Sequence, residues 1–451
     1  MAKTIDRTRP PETPPVPSFK MPPADQTRLE NGLLVVLVNE PRFPLITARL
    51  SFQAGSKFDP KALPGLSEMV AAMLTQGTQT RSFQQIAEEL ASIGASVSGY
   101  SSPDVLTLAG SVLAENLPKF LDVLSDVALG PSFPDHEVRL RKQNRKQTLL
   151  AQRSQPAFLA NEKFDALIFG DHPYSHIAPT MASIDQMDQA AMGEFRDLHL
   201  VPNIAVLTLL GRLPAHAETL ELVREHFAPW QRKPAPAAPD PRFPSSRRQL
   251  ALIDRPGSVQ ADIHIGRLAA TRTDPDYFPL LVGNTILGAV GTNSRLFEDI
   301  REKRGFAYDA HSELDRRKDT GAVMAVTQVR NEVVEPAMEA MLANLSEIAK
   351  SSVSATELTD AKNYLSGTFL IGLETQAGLA DQVDLVKTMG LPDYYLEAFT
   401  ERVKAVDPDQ IQAAAGKYFA PDQAAIAVVG DASQIQKPLE KFGSVQVERA
   451  K

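Results

Sequence analysis

The sequence contains no cysteine, which excludes disulfide bonds, thiolate metal sites, iron–sulfur ligation and a cysteine nucleophile. No apolar run approaches the roughly 18 residues that a membrane-spanning helix needs. The first ten residues, MAKTIDRTRP, lack the apolar stretch of a signal peptide. An excess of positive charge is also missing, since 55 Asp and Glu outnumber 47 Lys and Arg and give a net charge of −8. This balance argues against a general nucleic-acid-binding protein.

The composition is that of a folded globular chain, with 43% hydrophobic and 23% charged residues. A length of 451 residues leaves room for two to four domains. Two proline-rich stretches divide the chain, because proline resists both helix and central strand. They predict an N-terminal arm at 1–25 and a linker at 233–248, which leave an N-terminal domain at 26–232 and a C-terminal domain at 249–451.

The two predicted domains resemble copies of one unit. Three pairs of landmarks keep nearly the same separation, namely Pro202 and Pro421 at 219 residues, Gly211 and Gly430 at 219, and Pro118 and Pro336 at 218. Chance alignment of prolines is the alternative. A constant separation favours a duplicated unit of roughly 200 residues.

Hydrophobic patterning within the first unit mixes strand and helix periods. Residues 33–38 and 46–52 are typical of strands, whereas 64–74 carries the i, i+3, i+4, i+7, i+8 apolar stripe of an amphipathic helix. Further helices are predicted at 83–93, 116–129 and 135–152, with a strand at 105–112. We therefore predict an α+β fold of two similar domains, each a mainly antiparallel sheet with helices packed on one face.

The most distinctive string of the second half runs from Leu287 to Tyr308. Its glycines are not followed by the Lys-Ser/Thr of a phosphate-binding loop, and Gly305 suits a helix C-terminus before a strand. Arg301 and Tyr308 are seven residues apart across that turn, so both donors could reach one surface and hold a peptide carbonyl or an oxyanion. The alternative is a solvated helix arginine and a tyrosine packed in the sheet.

From about residue 26 the chain resembles the zinc peptidases typified by insulin-degrading enzyme, pitrilysin and the mitochondrial processing peptidase. The string SRLFEDIREKRGFAY is similar to the C-terminal signature of that family. The resemblance implies that Arg301 and Tyr308 contact substrate near the scissile bond. Phe133-Pro134, His172-Pro173-Tyr174 and the duplication also match landmarks of the family. The implied architecture is one half of a clamshell.

The first half departs from the family pattern at its zinc motif. Active members carry His-x-x-Glu-His on a helix, with the glutamate as general base. Residues 65–78 keep the frame of that helix, but Glu68 replaces the first His, Ala71 the base and Ala72 the second His. The family's remaining ligand is a Glu on a later helix, and the corresponding segment 139–153 contains no carboxylate. The sequence therefore predicts no metal and no complete catalytic set in this chain.

These patterns predict a zinc-less subunit of a heteromeric metallopeptidase, inactive alone. A homologous partner would carry the His-x-x-Glu-His motif and the Zn²⁺, in a heterodimer or a dimer of heterodimers. Arg301 and Tyr308 would bind peptide substrate and stabilise the oxyanion at the partner's zinc. A periplasmic location is expected if an export signal was removed, with the cytoplasm as the alternative.

Two other functions remain open at this point. One is a scaffold or peptide-binding protein with no role in proteolysis. The other is an independent enzyme with a site around Glu68, His172 or His176. The two histidines have the i, i+4 spacing of helical metal ligands, but Pro173 after the first favours a loop or a helix start.

Overall fold

The computed structural model describes residues 17–450 and contains two six-stranded sheets. The first sheet consists of β1 to β6, at Ala24–Arg28, Leu34–Asn39, Leu45–Phe52, Ser96–Ser101, Leu106–Leu113 and Ala205–Gly211. The second consists of β7 to β12, at Gln249–Asp254, Gln260–Ala269, Ala307–Arg316, Gly321–Arg330, Ala425–Gly430 and Val445–Arg449.

The strand order repeats from one sheet to the other. It is β1-β2-β6-β3-β5-β4 in the first sheet and β12-β7-β11-β8-β10-β9 in the second. β2 pairs in parallel with β6, and β7 pairs in parallel with β11 and β12, while the other pairs are antiparallel. Only the outermost strand differs in origin, because the start of the chain supplies β1 and its end supplies β12. The prediction of two similar α+β domains is confirmed.

Helices connect and cover the strands. Those of residues 17–450, α1 to α15, lie at Leu66–Met73, Phe83–Ser92, Leu117–Leu129, Asp135–Arg153, Pro156–Phe169, Met181–Gln186, Gln189–His199, His216–Phe227, Tyr277–Asn284, Val334–Lys350, Ala355–Glu374, Gln376–Thr388, Tyr395–Ala405, Pro408–Tyr418 and Ala432–Leu439. Two segments of the second half, Thr285–Ala289 and Phe297–Lys303, are π-helical. In the described part of the chain no helix combines the length and apolarity needed to cross a bilayer.

The central strand β3 shows how each sheet is buried on both faces. Successive side chains of a strand point to opposite faces. Ile46 and Leu50 point into the core shared with α1 and α3. Arg49 and Ser51 are also buried, but on the other face, where a helix of the second half covers them.

The two halves exchange equivalent helices across their sheets. α12 packs against β3 and β6 of the first sheet, while α5 packs against β8 and β11 of the second. The contact of α5 is aromatic and apolar, with Phe164 and Phe169 among the side chains buried on β10 and β11. The sequence analysis expected helices on one face only, because hydrophobic periodicity does not indicate which sheet a helix will cover.

The proline-rich segments are partly packed. Residues 1–16 of the predicted arm lie outside the described residues, whereas the Met21 amide donates to Glu397 at 2.9 Å and β1 already begins at Ala24. Residues 231–248 form neither helix nor strand. Phe243 in that segment stacks on Tyr174, so the connection between the sheets contacts both halves.

Candidate functional site

Helix α1 begins at a tight turn that a buried carboxylate holds in place. Gly65 precedes the helix with a φ of +90°, a conformation that favours glycine. The Asp59 carboxylate accepts hydrogen bonds from the backbone amides of Gly65 and Ser67, each at 2.7 Å. Burial raises the pKa of Asp59 to about 7, although these two amides oppose the shift. The frame of the family's zinc helix is thus built although its ligands are replaced.

Glu68, at the position of the first zinc ligand, is paired with an arginine. The Arg145 side chain reaches from α4, with Nε 3.0 Å from one carboxylate oxygen of Glu68 and Nη2 donating to the other at 3.2 Å. Nη1 of Arg145 donates to Gln152 at 2.9 Å. The only carboxylate among the three altered positions of α1 is therefore neutralised by a cation of the protein itself. The sequence analysis noted that segment 139–153 lacks a carboxylate but did not predict this pair.

The other two altered positions are alanines, whose methyl side chains can neither bind a metal nor transfer a proton. Ala71 is fully buried. A Cβ added at Gly99 on β4 would lie 2.0 Å from the carbonyl oxygen of Ala71, so helix and edge strand are in direct backbone contact. Within residues 17–450 no three His, Cys, Asp or Glu side chains are arranged to hold a metal ion. The three altered positions of α1 therefore provide neither the two histidine ligands nor the glutamate base of the family's motif.

The structure brings Arg301 and Tyr308 together on one surface. Arg301 lies in the second π-helical segment and Tyr308 near the start of β9, with the guanidinium carbon 4.8 Å from the centre of the tyrosine ring. The same carbon lies 4.6 Å from the ring centre of Phe297, so the guanidinium also packs against this second aromatic ring. Tyr308 is 84% exposed and its hydroxyl is free to meet a ligand. The two donors are accessible and adjacent.

His172 and His176 are not brought together as a pair of metal ligands. His172 begins a short 3₁₀ turn, where its Nδ1 accepts from the Tyr174 amide at 3.1 Å. Its ring packs against Tyr174 and Phe243, with centres 4.5 and 4.6 Å away. His176 contacts the Ser175 hydroxyl through its own Nδ1 at 2.9 Å. Burial lowers the pKa of both histidines, so their environment favours the neutral ring.

A buried charged cluster between the halves was not found from the sequence. The Lys57 ammonium lies 2.9 Å from both Asp104 and Asp319, and the Tyr174 hydroxyl donates to Asp104 at 2.5 Å. Next to it Arg317 pairs with Asp165 at 2.7 Å. The sequence signal was weak, because the charges that follow β9 are typical of a solvated turn. The cluster fixes the β9–β10 turn of one half against the other half.

Known proteins resemble this chain over most of its length. Residues 34–177 match the family described as "Insulinase (Peptidase family M16)", and residues 187–365 match the "Peptidase M16 inactive domain". Together the two matches cover well over half of the sequence. The chain belongs to peptidase family M16. The resemblance inferred from the Arg/Tyr signature and the degenerate zinc helix is confirmed, and residues 187–365 are homologous to the family's inactive domain.

Relatives of this M16 chain match it over most of their own length. An uncharacterized zinc protease of Mycobacterium leprae is 26% identical over 77% of this chain and 79% of its own. An uncharacterized zinc protease of Bacillus subtilis is 21% identical over 88% and 95%. A crystal structure of a peptidase M16 inactive domain from Pseudomonas fluorescens superposes with a TM-score of 0.84, at 25% identity over 94% of this chain and 99% of its own. A protease from Helicobacter pylori, at 18% identity, has the same fold with a TM-score of 0.84 over 91% and 100%.

Proposed function

We propose that this M16 chain is the zinc-less subunit of a heteromeric metallopeptidase. It would act with a homologous partner that carries the His-x-x-Glu-His motif and binds the Zn²⁺. Peptide would be held between the two subunits, and this chain alone would not hydrolyse it. The assembly would be a heterodimer or a dimer of heterodimers.

The observation that carries the proposal is the contrast between an altered zinc helix and an accessible Arg/Tyr pair. The position of the first ligand holds Glu68 paired with Arg145, and the next two positions hold alanines. Arg301 and Tyr308 instead lie side by side, with Tyr308 84% exposed. The two adjacent exposed donors can still bind a peptide carbonyl, whereas the altered zinc helix lacks the groups to hydrolyse one.

Arg301 and Tyr308 would supply hydrogen bonds to the reacting carbonyl. A guanidinium and a phenol both donate hydrogen bonds. Donors aimed at the oxygen where negative charge develops lower the barrier more than they tighten substrate binding. The partner's zinc would polarise the carbonyl and activate the water, while this chain's two side chains would position the peptide and share the charge of the oxyanion.

Peptide cleavage by the separate and mixed subunits tests the proposal. The chain, its co-purifying His-x-x-Glu-His partner and an equimolar mixture would each be given the same fluorogenic peptide. Activity confined to the mixture supports the proposal. The matched control is a mixture in which the partner's motif glutamate is changed to glutamine, and we expect it to be inactive.

Two results would contradict the proposal. Full activity of the partner alone, unchanged on mixing, would reduce this chain to a scaffold. Cleavage by this chain alone, insensitive to a zinc chelator, would reveal an independent active site.

A further inference from the structure

A cleft of about 470 Å³ opens in the second half, beside the free edge of β9. Its walls come from the end of α9, the first π-helical segment, β9, α11 and α13. A Cβ added at Gly288 would lie 2.2 Å from the Ser312 amide nitrogen, so the π-helical segment closes against β9 at that residue. The strand beyond Ser312, as far as Arg316, lines the cleft.

The charges around the cleft favour an anion. Arg272 and Arg316 both line it, and neither forms a salt bridge within residues 17–450, whereas the next arginine, Arg317, pairs with Asp165 and Asp315. Glu313 is the one carboxylate of the lining, and His311 already contacts it at 3.2 Å. Two guanidinium groups therefore face the cleft without a carboxylate partner of their own.

A buried polar atom on the cleft wall lacks a hydrogen-bond partner. Asn284 is only 3% exposed, yet its Oδ1 accepts no hydrogen bond from the described residues. Such a group is costly to leave unpaired, so native structures rarely keep one without a ligand or a water to satisfy it. Asn284 Oδ1 specifically requires a donor.

The remaining wall of the cleft is apolar. Phe369 of α11 stacks on Phe399 of α13 with ring centres 4.1 Å apart, and Leu281 lies beside them as a further part of the lining. The cleft thus combines an anion-binding side, a hydrogen-bond acceptor and an aromatic surface. A simple inorganic anion would use only the first of these.

We propose that this cleft binds the C-terminal end of a peptide whose last residue is apolar. The terminal carboxylate would lie between Arg272 and Arg316, because guanidinium groups bind carboxylates through paired hydrogen bonds. The last backbone N–H would donate to Asn284 Oδ1, and the last side chain would rest on Phe369 and Phe399. The preceding residues would run along the free edge of β9. The carboxylate end of this site uses neither Arg301 nor Tyr308 and requires no partner subunit.

Calorimetric titration of the full chain alone tests the proposal. The probes are acetyl-Ala-Phe with a free carboxylate and the same dipeptide as its C-terminal amide. We expect the acid to bind about tenfold or more tightly than the amide, because only the acid can use both arginines. Comparing the acid with the amide tests whether the terminal carboxylate is recognised, without altering the protein.

Variants then locate the binding. Arg316→Gln is expected to weaken binding of the acid by about tenfold, since one charged contact is lost. The matched control is Arg330→Gln, an exposed arginine at the far end of β10 that does not line the cleft, and it should leave binding unchanged.

Three outcomes would overturn the inference. They are equal binding of acid and amide, an unchanged affinity of the Arg316→Gln variant for the acid, and acetate or phosphate binding as tightly as the peptide acid. The last would show a simple anion site. Because the titration uses no partner, its failure would leave the proposed peptidase role untouched, and failure of the mixing assay would leave this site untouched.

Discussion

The two halves have equivalent elements beside their edge strands, but they differ in which hydrogen-bonding groups remain available there. In the first half α1 contacts the edge strand β4 and α4 contacts α1, while in the second half the π-helical extension of α9 contacts the edge strand β9 and α11 contacts that extension. The first groove has lost its ligands, and Arg145 neutralises the remaining Glu68. The second exposes Arg301 and Tyr308 at one end and keeps Asn284 Oδ1 unsatisfied inside. The duplicated fold therefore places residues at equivalent positions in both halves, and the residue types at those positions determine whether a ligand can bind.

The exchanged helices show a second contrast between the halves. α5 covers the second sheet with aromatic residues and one buried ion pair, Asp165 with Arg317. α12 shares an apolar cluster with Val206 and Leu210 of the first sheet and adds polar contacts, in which Asp384 accepts from the Ser51 hydroxyl at 2.7 Å and Asp381 pairs with Arg49 at 2.6 Å. The ion pairs of the two contacts differ in burial, so we expect them to respond differently to mutation.

The largest expected effect comes from breaking the ion pair of α5. Arg317→Leu leaves the buried Asp165 without its partner and should lower the free energy of unfolding by about 3–5 kcal/mol. Arg49→Leu is the matched change at α12, and its partner Asp381 is half-exposed, so a loss of about 1 kcal/mol is expected. Urea unfolding of both variants measures the difference. Equal losses would show that the two contacts are not distinct.

Removing one donor of the second half should abolish most activity of the mixed peptidase. Arg301→Ala is expected to lower kcat by about 10²–10³ when mixed with the catalytic partner, the usual effect of losing one oxyanion donor. Arg145→Ala is the matched arginine of the first half and should leave kcat within a factor of about two, since it contacts no reacting group. Steady-state peptide cleavage distinguishes them, and comparable losses in both variants would remove the functional contrast between the halves.

Stability should fall as pH rises through the titration of Asp384. Burial raises the pKa of this carboxyl to about 7, so between about pH 4 and 7 the folded chain holds a proton that the unfolded chain has released. The stabilisation is complete below the unfolded pKa near 4 and is lost as pH approaches 7. Asp384→Asn should therefore reduce the slope by up to about 1.4 kcal/mol per pH unit, measured by urea unfolding from pH 5 to 8. If the variant keeps the same slope of stability against pH, a group other than Asp384 causes the pH dependence.

The smallest effect concerns the ion pair that replaces the zinc ligands. Glu68 is 42% exposed on its side chain, so Arg145→Ala should cost only about 0–1 kcal/mol of stability. The same variant should not gain affinity for zinc, because one carboxylate does not form a site. Thermal unfolding with and without added Zn²⁺ measures both, and a zinc-induced rise in Tm specific to this variant would show that Arg145 had been blocking a competent site.

Local patterns predicted most of the fold. The strands expected at 33–38 and 46–52 appear as β2 and β3, and the helix expected at 135–152 appears as α4. These elements have strong periodicity and clear end signals. The exchange of α5 and α12 could not be predicted, because the same apolar stripe fits either sheet. The π-helical segments were also missed, because the change from i→i+4 to i→i+5 backbone hydrogen bonds has no recognisable signature in the amino-acid composition.

The candidate site was predictable only where residues are close in sequence. Arg301 and Tyr308 are joined by a short turn, so their proximity follows from local geometry. Glu68 and Arg145 are 77 residues apart, and Asn284 and Tyr395 line one cleft only because α9 packs against α13. Contacts at such separations depend on tertiary structure, which one sequence does not specify in detail.

The most direct test of the central claim is the rate of peptide cleavage by the mixture that contains Tyr308→Phe. This change removes one hydroxyl from a side chain that is 84% exposed, so the fold and the complex should be unaffected. If this chain supplies a hydrogen bond to the reacting carbonyl at the partner's zinc, kcat should fall by about tenfold or more with the complex intact. A rate equal to that of the unaltered mixture would contradict the claim.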